Sequence, residues 1–240
     1  MENFYDHPEY YDLAFSWRDM KKEVDVFEEC FRRYSGIPVR RVLELASGTS
    51  PHLEELSRRG YHYTGLDLNK AMVLWSESKA RRLGIDAAFI EGDMAGFCLP
   101  EPVDFVFTMC GSLYVHSTAE LLSHLNSVAR ALKPGGLYFL DWCINFEWNR
   151  AKAEQKWEIE RGGVKIGVRF NEKVLDTASQ TAEYRLEGDI EDGGRRLHLE
   201  SVDTVRVVLP QEFRLLVEKC GMFEFMGWWN YWDLDRPMEE

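Results

Sequence analysis

The chain has little cysteine, no long apolar run and no surplus of positive charge, and each shortage narrows what it can do. Its five cysteines (Cys30, Cys98, Cys110, Cys143, Cys220) are scattered, with no C-x-x-C pair. That pattern argues against a zinc cluster or a disulfide framework, so no metal site is expected and a reducing cytoplasm fits. No apolar stretch approaches the length of a membrane span, and the opening MENFYDHPEYYD is acidic and aromatic, unlike a signal peptide. A cytoplasmic protein without a membrane partner is the expectation. Lys and Arg number 29 against 41 Asp and Glu, a net charge of −12. Nucleic acid is a poor partner for such a chain, since phosphate contacts need clustered cations. Glycine is short in one telling place: a dinucleotide turn needs G-x-G-x-x-G, and only Gly48 is present in Ala46-Ser47-Gly48-Thr49-Ser50-Pro51. An NAD-dependent oxidoreductase is therefore a weak alternative. No internal repeat or low-complexity tract is present.

What is present is an ordinary globular composition, 45% hydrophobic and 29% charged over 240 residues, enough for a single domain with a full core. Arg41 to Leu45 is a short apolar run suited to a strand buried on both faces. Ala46 to Thr49 makes a tight turn, Ser50 can cap a helix with Pro51 at its first position, and Gly60 ends it. Tyr61 to Leu66 reads as a second strand delivering Asp67 at its carboxyl end. Ligands of an open parallel sheet bind outside the carboxyl ends of the strands, and Asp67 offers two oxygens where a ribose diol would sit.

Asn69 caps a helix to Leu83, stopped by Gly84, with Met72 on its inner side. Asp86 to Ile90 is a third strand before Gly92-Asp93-Met94, and Val103 to Met109 a fourth, leading into Cys110-Gly111-Ser112-Leu113-Tyr114-Val115-His116. Thr118 caps a helix to Leu132; Lys133-Pro134-Gly135-Gly136 ends it, and Leu137 to Asp141 is the fifth strand. From Glu158 to Leu209 the period shifts to two, with Gly-rich turns at Gly162-Gly163 and Asp192-Gly193-Gly194, which predicts three or four antiparallel strands. Pro210 to Cys220 is a last helix, Gly221 stops it, and Met222 to Met226 reads as a further strand. Before the first strand, Met20, Val24, Phe27 and Phe31 mark an amphipathic helix.

Glu44-Leu45-Ala46-Ser47-Gly48-Thr49 resembles the E-L-A-C-G-T-G turn of S-adenosylmethionine-dependent methyltransferases with a Rossmann-like fold. Ser50 stands where that family has its last glycine. Gly92-Asp93-Met94 is similar to the family's adenine corner, Leu132 to Asp141 (LKPGGLYFLD) to its fifth-strand signature, and Tyr10-Tyr11-Asp12-Leu13 to its cofactor-covering segment. The nearest types are the methyltransferase domains 25 and 11, including enzymes acting on sugar amines. The resemblance implies an α/β fold, a doubly wound, mostly parallel sheet with helices on both faces and a small antiparallel β insert after strand five. It implies one domain over 1–240: an N-terminal lid and helix (1–34), a cofactor-binding core (35–142), the insert (143–209), and a C-terminal helix and strand (210–240).

For the site, the resemblance implies S-adenosylmethionine held by Glu44, Ala46, Ser47 and Gly48 in the first turn. Asp67, Leu68, Asn69 and Met72 would follow the second strand, and Gly92, Asp93 and Met94 would form the adenine corner. Met109 and Cys110 would close the fourth strand, with Tyr11 above. Asp93 would accept from the exocyclic amine while Met94 offers its backbone N–H. Tyr11, Tyr114 and His116 are the catalytic candidates, with Asp141 beside them. The expected reaction is methyl transfer to a small-molecule acceptor, most simply an amine nitrogen, with product S-adenosylhomocysteine. The alternative is a module that binds this cofactor without catalysis. The insert would wall the acceptor pocket or form a homodimer surface.

Overall fold

The computed structural model describes residues 2–148 and 153–238. Five parallel strands form the central sheet: β1 (Arg41–Leu45), β2 (His62–Asp67), β3 (Ala88–Glu91), β4 (Val103–Thr108) and β5 (Leu132–Leu140), in the order β3-β2-β1-β4-β5. The order reverses between β1 and β4. Side chains of these strands alternate between two cores, as a period of two requires. Val42, Phe105 and Phe107 face Val24 and Phe27 of α2 (Met20–Tyr34) and Leu53 and Leu56 of α3 (Leu53–Arg58). Leu43, Leu45 and Val106 face Leu121, Leu125 and Val128 of α5 (Thr118–Ala131) and Phe213 and Leu216 of α6 (Pro210–Cys220). Burying each such side chain is worth about 1.5–3 kcal/mol, so both layers hold the sheet.

Capping follows the residues. Asn69 accepts from the Ala71 and Met72 N–H groups to start α4 (Lys70–Leu83), and Gly84 ends it at φ 67°. Several boundaries differ from the sequence reading by a residue or two, and three of the differences have a visible cause. α3 begins at Leu53, because Ser50 takes a left-handed φ of 50° and so belongs to the turn. Ser117, not Thr118, caps α5, accepting from the Glu120 N–H. β5 pairs first at Leu132, then bulges through Lys133–Gly136 before regular pairing resumes at Leu137. A Cβ on Gly136 would lie 2.7 Å from the Asp104 carbonyl oxygen, so this bulge needs glycine.

After β5 the chain builds an antiparallel sheet, β6 (Gln155–Arg161), β7 (Val164–Asp176), β8 (Thr181–Asp192) and β9 (Arg195–Arg206), in consecutive order. Residues 149–152, inside the stretch read as the insert, lie outside the described residues, as do 1 and 239–240. The N-terminal arm with α1 (Pro8–Ala14) packs Phe4 and Ala14 against Ile166, Val168 and Leu199 of this sheet. The arm also covers the edge of β9, where the Glu200 N–H donates to the Glu2 carbonyl and the Phe4 N–H to Ser201 Oγ. The strand read at Met222–Met226 does not form. Phe223 and Phe225 pack on the α5/α6 core while Met222, Glu224 and Met226 face out, an extended alternation with no ladder partner. Among the described residues, the parallel sheet therefore ends at β5.

Candidate active site

The site grows from the turn after β1. The Ser47 N–H donates to the Leu66 carbonyl (3.0 Å), tying the turn to β2. The Gly48 N–H donates to Asp67 Oδ2 (2.7 Å), and the Asn69 N–H to Asp67 Oδ1 (2.8 Å). Each oxygen is aimed by one backbone bond and keeps a second lone pair, since a carboxylate offers about four acceptor sites. Burial raises the pKa of this carboxyl above the ordinary value, with the two N–H bonds pulling against it. Ser76 Oγ donates to the Gly48 carbonyl, and Lys79 Nζ to those of Thr49 and Ser50, so α4 satisfies the turn from behind. Ser50 is fully buried and packs inward: a Cβ on Gly65 would lie 2.9 Å from Ser47 Oγ and 3.2 Å from Ser50 Oγ. The serine that replaces the family glycine thus points away from the cavity, into room left by Gly65.

A buried polar chain supports the same turn. Glu44 Oε1 lies 2.8 Å from His52 Nδ1, His52 Nε2 2.8 Å from Glu23 Oε2, and Arg18 Nε donates to Glu23 Oε1 at 3.0 Å. The Tyr63 hydroxyl donates to the other oxygen of Glu44. Burial lowers the His52 pKa, but Glu44 and Glu23 outweigh it and the net shift is upward. Desolvation likewise raises Glu23, but hydrogen bonds from His52 and Arg18 carry it below its ordinary value. Arg18 lines the cavity beside Gly48 and Cys110. Sequence reasoning missed Arg18, Glu23 and His52. Arg18 lies in the bend before α2, Glu23 on α2 and His52 just before α3, and no spacing rule links them.

At the adenine-corner motif, Asp93 Oδ1 accepts from the Ala95 N–H (2.8 Å), and the Gly92 N–H donates to the Asp67 carbonyl (2.9 Å). Behind it lies a fourth missed residue, His124 of α5. Its Nδ1 is 2.9 Å from the Met94 carbonyl oxygen, which only accepts, so Nδ1 carries the proton. Nε2 then accepts from the Tyr138 hydroxyl at 2.7 Å. Desolvation lowers the pKa of this ring to about 4.

On the far side, Asp141 follows β5. Its Oδ2 accepts from the Cys110 N–H (3.1 Å), and burial pushes its pKa up to about 6. Burial also pushes the Cys110 thiol up to about 12, which leaves it a poor nucleophile. Tyr114 is likewise pushed by burial up to about 12, and Tyr11 still higher. Both are neutral hydroxyls near neutral pH, suited to orienting a ligand.

A cavity of about 790 Å³ joins these parts, inside the roughly 300–1,000 Å³ range of ligand clefts. Of the residues expected in the site, Tyr11, Ala46, Gly48, Asp67, Leu68 and Asn69 line it, as do Met72, Gly92, Asp93, Met94, Cys110 and Tyr114. Glu44, Ser47 and Met109 line an adjoining recess of about 180 Å³. His116 lines neither: it is exposed, and its Nδ1 lies 2.9 Å from the Thr204 carbonyl of β9. The antiparallel sheet supplies the opposite wall with Lys156, Trp157, Phe170, Leu186 and Asp203, and Trp232 enters from the C-terminal segment.

Residues 42–136 match the model of a methyltransferase domain family. Over 140 residues the chain is 31% identical to the dTDP-3-amino-3,4,6-trideoxy-alpha-D-glucopyranose N,N-dimethyltransferase of Streptomyces venezuelae, 57% of this chain and 56% of that protein. The chain spans about half the length of the curated relatives it matches. Among solved structures it is similar to an S-adenosylmethionine-dependent methyltransferase from Clostridium acetobutylicum, with TM-score 0.77 and 18% identity over 96% of this chain and 91% of that one. It is also similar to the sugar N-methyltransferase KedS8 from a Streptoalloteichus species, with TM-score 0.71 and 21% identity over 88% of this chain and 83% of that one. Residues 42–136 are therefore similar to a methyltransferase domain, within a chain that has the fold of S-adenosylmethionine-dependent methyltransferases.

Proposed function

We propose that the chain transfers a methyl group from S-adenosylmethionine to an amine nitrogen of a small-molecule acceptor. The observation that carries this reading is Asp67: a carboxylate fixed by the Gly48 and Asn69 N–H groups beside the turn after β1, where the strand order reverses and ligands of such sheets bind. The residues fit the donor. Asp67 would hold the ribose hydroxyls. Asp93 and the Met94 N–H would hold the adenine edge, and Met72 and Leu66 offer apolar surface beside it. Arg18, already paired with Glu23, would take the amino-acid carboxylate, and the Tyr11 ring lies across the turn, 3.5 Å from where a Cβ of Gly48 would stand. Names of similar proteins that include N-methyltransferases of sugars support an amine as acceptor.

When bound, the donor supplies a methyl carbon activated by its sulfonium, so transfer forms a nitrogen–carbon bond, breaks carbon–sulfur and leaves the electron pair on sulfur. The protein's part is mainly positioning and proton removal. Asp141, with its pKa near 6, is ionised at neutral pH and can take the ammonium proton that blocks the nitrogen lone pair. Tyr11 and Tyr114 orient as neutral hydroxyls. The Cys110–Asp141 backbone bond fixes the base beside the end of β4.

The test is single-turnover transfer from methyl-labelled donor to a pool of amines, read by mass spectrometry. Labelled N-methyl product is expected, with a rate that falls about tenfold per pH unit below roughly pH 6 and loses that limb in Asp141→Asn. Tight binding of S-adenosylhomocysteine with no product from any pool would make the chain a binding module instead. The Ser50 departure gives that module reading no support, because Ser50 is buried away from the cavity.

A further inference from the structure

The charges facing the cavity are lopsided. Glu23, Asp67, Asp93, Asp141 and Asp203 line it against Arg18 and Lys156. Both cations already have partners: Arg18 holds Glu23, and Lys156 pairs with Glu154 at the surface. Asp67 and Asp93 belong to the donor half, so two carboxylates, Asp141 and Asp203, face the half left for the acceptor.

Asp203 sits on β9 opposite Tyr184 of β8. Its carboxylate is partly buried, and His116 is its electrostatic neighbour outside the cavity lining. Aromatic rings stand around it. Tyr5 and Tyr114 stand close enough to feel its charge. Tyr114 meets Tyr184 edge-on at 5.9 Å, and Tyr184 meets Phe170 at 5.6 Å. The roof therefore presents aromatic surface and the Asp203 carboxylate to the cavity. Organic cations are recognised by that combination, the carboxylate pairing with the charge and the ring faces attracting it. A diphosphate would meet the reverse: five carboxylates and no unpaired cation among the described lining residues, with like charges brought together out of water.

Resting on the methyltransferase reading above, we propose that the acceptor is a small organic cation, an amine on an apolar or aryl body. It would be anchored by Asp203 beside Tyr5, Tyr114 and Phe170, and would carry no nucleoside diphosphate. Asp203 selects the cation, and Asp141 takes the proton once the nitrogen lies at the donor.

The experiment is calorimetry on the full chain loaded with S-adenosylhomocysteine, titrated with tyramine, phenethylamine and 1,5-diaminopentane, and separately with thymidine diphosphate. At least one amine is expected to bind and thymidine diphosphate to give no heat. Asp203→Asn, nearly isosteric, should weaken that amine tenfold or more with S-adenosylhomocysteine affinity unchanged, which also shows the variant is folded. The proposal is overturned if thymidine diphosphate binds, if no amine binds, or if Asp203→Asn holds the amine as tightly as the parent. Failure to load S-adenosylhomocysteine at all would instead bring down the methyltransferase reading, and this inference with it.

Discussion

At the donor end of the cavity the carboxylates are set by backbone bonds within two successive strand–helix–strand units, whereas at the roof the polar atoms come from a separate sheet and the N-terminal arm. Asp67 is gripped by Gly48 and Asn69, residues that follow β1 and β2 directly. Asp203, Trp157 and Phe170 sit on three strands of the roof and line one cavity only because β6 to β9 pair in register. Local chemistry therefore builds the first region, and long-range pairing builds the second. The first can be read from a turn and a spacing. The second shows in sequence only as alternation, which marks a wet face and a dry face without saying what the dry face holds.

The most damaging change should fall at the hinge between the two regions. Arg18 and Glu23 are a nearly buried pair, their side chains 9% and 13% exposed, and they join the N-terminal arm to His52 and Glu44 beneath the turn. Arg18→Ala would leave two buried carboxylates sharing one imidazole. Removing one partner of such a pair costs about 3–5 kcal/mol, so urea unfolding should show a loss of that order. A variant as stable as the parent would mean the arm and the core are not coupled through this chain of side chains.

Next in size is Asp67→Ala, which touches the donor end alone. Losing hydrogen bonds to a charged group costs about 1.5–3 kcal/mol. Affinity for S-adenosylhomocysteine should therefore fall roughly tenfold to a hundredfold. Unchanged affinity in a folded variant would remove Asp67 from the ribose site. Paired with Asp203→Asn, it sharpens the contrast: one substitution should move donor affinity only, the other acceptor affinity only.

Much of this was legible before any coordinates. The five parallel strands, the caps at Asn69 and Gly84, and the antiparallel insert follow from apolar runs, turn residues and a change of period. The start of α3 was misread because Ser50 and Pro51 look like a cap and a first turn, and nothing local says that Gly65 on the next strand frees Ser50 to take the left-handed region. Met222–Met226 carries a strand's alternation, but pairing needs a partner edge, and its side chains found the α5/α6 core instead. Arg18 and His124 stayed hidden for a related reason. Each acts on residues about 30 positions away in sequence, and a lone cation in a bend or a lone histidine on a helix has no signature of its own.

His124 gives the smallest effect and the finest test of the donor end. Its Nδ1–H holds the Met94 carbonyl, and so the backbone that would present an N–H to adenine. Gln at this position loses the ring that spans from Met94 to Tyr138, and one such neutral bond is worth about 1 kcal/mol. Donor affinity should drop only severalfold. A second readout separates positioning from general damage. Because burial depresses this imidazole to about 4, the folded chain resists a proton that the unfolded chain binds once pH falls below the ordinary histidine range. The unfolded state then holds more protons, so stability present above about pH 6.5 should drain away as pH falls toward 4. His124→Gln should lack that part of the slope, and the difference between the two unfolding curves isolates it from Asp141, whose raised pKa acts with the opposite sign in the same window. If the two curves run parallel from pH 7 to pH 4, His124 is not held neutral, and the donor end loses the support from α5 that makes its backbone geometry more than local.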